Sequence, residues 1–187
     1  LYDDFDNSSQ VAAYAAAINN VFGGGSSNPG EIEISARASI HAAENQDKAF
    51  DNDIATKWLD NAGIPSSANP SWIQIKYPQA KLADQLTLTS ANDEPGRDPQ
   101  DIELLASDDG QSWTLLGSWS GLDFPARFQN KALSFTNSQA FSYFRLNITG
   151  NQDNVTMTQI AEIALSESNG QQPDIIDHSG AGAVVIT

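Results

Sequence analysis

Oxygen donors crowd into one short stretch of this chain. Asp47, Asp51, Asn52, Asp53 and Thr56 fall within ten residues, in a segment rich in turn formers. A calcium ion takes six to eight oxygens from carboxylates, hydroxyls and carbonyls. A solvated acidic turn has the same composition, so these residues alone leave both readings open. The stretch is not an EF-hand, because Thr56 and Ala62 stand where that loop, counted from Asp51, needs Gly and Glu. A second polar stretch runs Ser90-Ala91-Asn92-Asp93-Glu94-Pro95-Gly96-Arg97-Asp98-Pro99-Gln100. Its amide, carboxylate and guanidinium groups are of the kind that pair with sugar hydroxyls, while aromatic rings meet apolar C–H faces. Arg97 has an equally good alternative as a clamp on Asp93 or Asp98. Residues 121–130 add Phe124, Arg127 and Phe128.

Other chemistries are closed off. The chain has no Cys and two His far apart in sequence, which removes a thiol nucleophile, a disulfide scaffold and a tetrahedral zinc site. Its 24 acids against 9 bases give a net charge of −15, which repels nucleic-acid phosphate and an anionic membrane surface. No apolar run reaches the roughly 18 residues needed to span a bilayer. There is no nucleophile elbow, P-loop or metalloprotease helix.

The elements that must position these groups read mostly as strands. Ile32, Ile34 and Ala36 alternate with Glu31, Glu33 and Ser35, and Ile73, Ile75 and Tyr77 alternate with Trp72, Gln74 and Lys76. Further short strands are predicted at 84–90, 101–107, 113–119, 131–136, 142–148 and 159–166. Asp108-Asp109-Gly110 predicts a hairpin between Ala106 and Trp113. Eight short strands without interleaved helices predict an all-β sandwich or barrel over residues 31–166. Before them, Tyr14, Ile18, Val21 and Phe22 share one helical face, so 8–22 reads as a short N-terminal helix. A Gly- and Ser-rich linker follows to residue 30. Residues 167–187 read as a second linker and either a terminal strand or the start of a next module. Both ends look cut, so the chain reads as part of a longer protein.

Three stretches carry a family resemblance: Ala49-Phe50-Asp51-Asn52-Asp53-Ile54-Ala55-Thr56-Lys57-Trp58; Trp72-Ile73-Gln74-Ile75-Lys76-Tyr77 with Arg97-Asp98-Pro99 and Leu104 to Trp113; and Tyr143-Phe144-Arg145-Leu146-Asn147-Ile148 with Gln159-Ile160-Ala161-Glu162-Ile163. Together they resemble the discoidin domain, also called the coagulation factor V/VIII type C domain, and most of all its bacterial branch of family-32 carbohydrate-binding modules. The resemblance implies an eight-stranded jelly-roll β-sandwich of the galactose-binding type. It also implies a structural calcium ion held by Lys48 (carbonyl), Asp51, Asp53 (carbonyl or carboxylate), Thr56 and Glu162. A shallow sugar site would be built from loops at one end, for which the expected residues are His41, Asn92, Arg97, Phe124 and Arg127. Trp58, Trp72 and Trp113 are expected in structural positions, and Trp119 at a more open one. The absence of Cys departs from many animal members, fits the bacterial branch, and leaves calcium as the staple.

The function expected is therefore non-catalytic. The chain would hold a larger secreted protein, a carbohydrate-active enzyme, to a glycan or polysaccharide outside the cell, with neighbouring modules on the same polypeptide. Residues 91–109 hold seven acids and one Arg, which favours neutral or amino sugars over strongly acidic ones. Two rivals stand beside this: an enzyme using a carboxylate pair, and an adhesive or protein-binding module without sugar affinity.

Overall fold

The period-two stretches form strands because alternate side chains of an extended backbone reach opposite faces of a sheet. In the computed structural model, residues 30–168 are described. Ten strands run in chain order as β1 (Glu33–Ala36), β2 (Trp58–Asp60), β3 (Ser71–Lys81), β4 (Gln85–Thr89), β5 (Pro99–Ser107), β6 (Thr114–Trp119), β7 (Asn130–Ser134), β8 (Phe141–Asn151), β9 (Thr158–Ile160) and β10 (Glu162–Ser166). They all belong to a unit that begins at Ile32. Three short 3-10 turns interrupt the loops at Ala42–Glu44, Gln46–Ala49 and Pro95–Arg97. The expected helix over 8–22 and the expected terminal strand lie outside the described residues.

The strands form a five-stranded antiparallel sheet in the order β1-β3-β8-β5-β6, a three-stranded sheet β10-β4-β7, and a pair β2-β9. The inward residues of the large sheet are Ile73 and Ile75 of β3, Ile102 and Leu104 of β5, and Phe144, Leu146 and Ile148 of β8. They meet Leu86, Leu88, Leu133, Ile163 and Leu165 of the three-stranded sheet in one core. This is the expected all-β sandwich, but with ten strands instead of eight. The stretch 159–166 divides at Ala161, whose N–H bonds Thr89 O at 3.0 Å. Residues before it pair with β2 and residues after it with β4. β2 escaped the period-two reading because Trp58, Leu59 and Asp60 are all buried, so no alternation marks it.

The Asp108-Asp109-Gly110 hairpin forms as expected, with Ala106 opposite Thr114. Gly110 has φ +70°, a left-handed conformation that suits glycine. Trp58 is fully buried, and its indole N–H donates to Ala38 O at 2.8 Å. Trp72 is instead half-buried on the outer face of the large sheet. The Arg145 guanidinium stacks between its ring, at 4.9 Å, and that of Trp113, at 4.2 Å. Trp119 packs edge-on against Phe135.

Candidate functional site

The acidic loop is anchored at its start by Ala49 and Phe50, which are buried in the core. Asn52 takes a left-handed φ of 59°, which Asn tolerates, and a turn from Thr56 N–H to Asp53 O brings the chain back. The bend points oxygens inward. The Thr56 hydroxyl has one proton, yet four oxygens surround it: Asp51 Oδ2 at 2.9 Å, Asp51 Oδ1 and Asp53 O at 3.0 Å, and Lys48 O at 3.5 Å. Three of these oxygens have further donors: Lys48 Nζ reaches Asp51 Oδ2 at 3.0 Å, the Asp53 N–H reaches Asp51 Oδ1 at 3.0 Å, and the Thr56 N–H reaches Asp53 O at 2.9 Å. Glu162, at the start of β10, joins the cluster and accepts the Asp53 N–H at 3.1 Å. Burial, and then the adjoining Asp51 carboxyl, push Glu162 up to about 8. Burial pulls Asp51 upward as well, but Lys48, the Asp53 N–H and Thr56 outweigh it and hold Asp51 below its ordinary value.

The facing Asp51 and Glu162 carboxyl groups are the feature of this loop that a cation would complement. Two carboxylates, a hydroxyl and two carbonyls fit a hard ion such as calcium. Among the described residues no group of three or more His, Cys, Asp or Glu could hold a metal, so a shell around Asp51 and Glu162 would have to be completed by the Thr56 hydroxyl and backbone carbonyls. Asp53 contributes its carbonyl here, because its carboxylate caps the Ala55 N–H at 3.0 Å. Asp47 is turned to Asn45.

Beside this loop, the residues expected to bind sugar separate into two groups. Phe124 and Arg127 are structural, contrary to expectation. Phe124 is only 4% exposed, packs in the core and has Lys131 over its ring. Arg127 clamps buried Asp98 with both terminal nitrogens and also donates to the carbonyls of Ala91, Asp93 and Phe124. Burial raises the Asp98 carboxyl against the opposing pull of Arg127. The clamp expected as an alternative for Arg97 is thus supplied by Arg127, with Lys57 pairing Asp93. The second group is open. His41 and Asn92 are exposed, and His41 Nε2 lies 3.3 Å from Glu44. Among the described residues the Arg97 guanidinium has no hydrogen-bond or ion-pair partner.

Arg97 lines a cleft of about 210 Å³ with Glu94, Gly96, Asp153, Val155, Thr156 and Met157. The cleft exists because two loops are held close but not fused. A Cβ at Gly96 would sit 2.2 Å from Asp153 Oδ2, so a side chain there would displace that of Asp153. Gln159 of β9 braces the floor by donating to Asp93 O at 2.6 Å and Glu94 O at 3.2 Å. On the other side, Lys57 ties Asp93 to Glu44. The residues of the 152–157 turn, with Lys57 and Glu44, were missed in the sequence. Asp153-Asn154 was readable as a turn, but nothing local placed it beside Arg97.

The model of the F5/8 type C domain matches residues 33–163. The chain belongs to the F5/8 type C domain family. Solved structures agree on the fold of this F5/8 type C domain. A family-32 carbohydrate-binding module of Clostridium perfringens in complex with GalNAc-β-1,3-galactose is 17% identical, covers 74% of this chain and 96% of its own, and superposes with a TM-score of 0.59. Another from the same organism, in complex with galactose, is 16% identical, with coverages of 73% and 94% and a TM-score of 0.58. An F5/8 type C domain of Bacteroides fragilis is 18% identical, with coverages of 75% and 94% and a TM-score of 0.62. A curated relative, a peptide-N(4)-(N-acetyl-β-glucosaminyl)asparagine amidase of Arabidopsis thaliana, is 38% identical over 91 residues. That match takes in 47% of this chain but only 12% of the amidase.

Proposed function

We propose that this F5/8 type C domain is a non-catalytic carbohydrate-binding module with a structural calcium ion. The observation that carries the reading is the Arg97 guanidinium, unpaired among the described residues, in a polar cleft of the sandwich. A planar five-donor group without a partner among the described residues suits vicinal sugar hydroxyls, and Glu94, Asp153 and Thr156 supply acceptors around it. Val155 and Met157 give the cleft an apolar wall for ring C–H groups. The flanking carboxylates favour neutral or amino sugars. Galactose and GalNAc-β-1,3-galactose in the related modules support the ligand class.

Calcium, when bound, would be held by Asp51, Glu162, Thr56 Oγ1 and the carbonyls of Lys48 and Asp53. It would neutralise the facing acids and fasten the 51–56 loop to β10. The domain would serve outside the cell as one module of a longer carbohydrate-active enzyme, and its part would be to hold that enzyme on the glycan. Related modules come from a family-31 glycoside hydrolase, which supports that context.

Affinity electrophoresis in gels containing galactan, glycol chitosan or alginate tests the reading. Retardation is expected in galactan or glycol chitosan, and Arg97→Ala should weaken it at least about tenfold, the loss of a charge-assisted contact. Free migration of the wild-type domain in all three gels, together with capture of a protein ligand, would favour an adhesive role instead.

A further inference from the structure

Glu94, Arg97 and Asp153 put three charged side chains on the wall of one cleft. Among the described residues none of the three has an ion-pair or side-chain hydrogen-bond partner, although opposite charges so placed attract each other. The backbone explains why they stay apart. The Arg97 N–H donates to Glu94 O at 3.0 Å and closes a 3-10 turn. Side chains three residues apart eclipse in a regular turn of this kind. Glu94, however, has a left-handed φ of 36°, which takes it out of that geometry. Fully buried Gln159 holds it there by donating to Glu94 O at 3.2 Å. Across the cleft, the Asp153 N–H donates to Gly96 O at 3.1 Å and the Gln152 N–H to Asp98 O at 3.0 Å. These bonds lay the Asp153 carboxyl group against Gly96, in the space a Cβ would fill.

The cleft thus offers a ligand two kinds of polar group that do not satisfy each other. The two carboxylates accept hydrogen bonds, and the guanidinium only donates them. A neutral sugar answers both with hydroxyls. A uronic acid would pair with Arg97 but meet two like charges. A sugar with a free amine matches the whole set. Its ammonium brings positive charge and several N–H donors to the carboxylates, in charge-assisted bonds stronger than those of a hydroxyl. Its hydroxyls remain to accept from Arg97.

We infer that the Arg97 cleft selects an amino sugar whose amine is free and protonated, with Glu94 and Asp153 taking the ammonium group and Arg97 the neighbouring hydroxyls. This rests on the carbohydrate-binding reading above and narrows it to cationic sugars. Acetylation of the amine removes the charge and leaves a single N–H, so the domain would distinguish a de-N-acetylated glycan from its acetylated form.

Titration calorimetry of the full chain with a glucosamine tetramer and with its N-acetylated form tests this. The wild type should bind the free-amine tetramer at least about tenfold more tightly. The preference should fade as rising pH removes the ammonium proton. Glu94→Gln and Asp153→Asn keep the side-chain shapes, and each should remove most of the preference while leaving affinity for the acetylated tetramer near wild type. Arg97→Ala should weaken binding of both. Asp108→Asn controls for the overall negative charge, since Asp108 follows the end of β5 whereas Arg97 precedes its start. It should keep the preference. The same loss in Asp108→Asn as in Glu94→Gln would mean general attraction to an acidic protein and overturn the inference. Equal affinity for the two tetramers would overturn it too, as would equally tight binding of tetralysine, which carries ammonium groups without hydroxyls. In those cases continued binding of the acetylated tetramer or retardation in galactan would leave the carbohydrate-binding reading standing. A wild-type domain that binds neither tetramer and migrates freely in galactan would overturn both.

Discussion

Asp109 accepts hydrogen bonds from the N–H groups of Gln111 and Ser112, each at 2.7 Å, and from the Ser107 hydroxyl at 2.9 Å. The backbone donors, with Ser107, hold its carboxyl down at about 2. A carboxylate whose folded value lies below its unfolded one stabilises the fold above the unfolded value, near 3.8, and loses that contribution as pH falls towards 2. Asp109→Ala should therefore flatten the fall in Tm between about pH 4 and pH 2 that the wild type shows in acid melts. Equal slopes in the two proteins would refute this. The turn was legible because Asp-Gly carries its own conformational signal. The roles of the loop residues Arg97, Arg127, Phe124 and Phe128 were not. Arg97 and Arg127 are the same type on polar loops, and only the buried Asp98 carboxylate decides which becomes the clamp. Phe124 and Phe128 are likewise indistinguishable by type, and the loop clamp decides which is buried.

Among the elements, the β2–β3 connection depends on one buried carboxylate. Asp60, at the end of β2, is fully buried and accepts from Arg37 Nε at 2.8 Å, from the Ala62 N–H at 2.8 Å and from the Ser71 hydroxyl. Arg37 extends the tie to the carbonyls of Gly63 and Asn69. Removing one partner of such a pair leaves a desolvated charge behind. Asp60→Ala should cost about 3–5 kcal/mol in denaturant unfolding, while Asp60→Ala combined with Arg37→Met should recover part of it. A loss under about 1 kcal/mol would mean that the network is worth no more than a surface pair. Neither partner stood out in the sequence, since they are 23 residues apart and each looks like an ordinary polar residue.

For the whole molecule, the proposed calcium ion joins segments 109 residues apart, as the Asp53–Glu162 hydrogen bond already does. Anything that binds only the folded state stabilises it by mass action, by about 2.7 kcal/mol at one hundred times Kd. Calcium should thus raise Tm on the order of 5–10 °C, and EDTA should reverse the rise. Glu162→Gln, which keeps the shape of the protonated acid, should melt like the calcium-free wild type and lose the calcium response. An identical melt with calcium and with EDTA would remove the ion from this account.

The sequence by itself determined the class of fold, the family and most strand positions, though not β2 or the division of 159–166, because side-chain alternation, turn dipeptides and the spacing of aromatic motifs are local properties of the chain. It also marked the acidic loop and the polar 90–100 stretch as places where chemistry is concentrated. Only the tertiary structure decided which groups there are available. Availability is a matter of which charges find partners across the fold: Arg127 is used up by Asp98 and Lys57 by Asp93, while Arg97 is left over among the described residues. Burial of Phe124, exposure of Phe128 and the meeting of Asp51 with Glu162 likewise depend on packing between residues far apart in sequence, which no local pattern records.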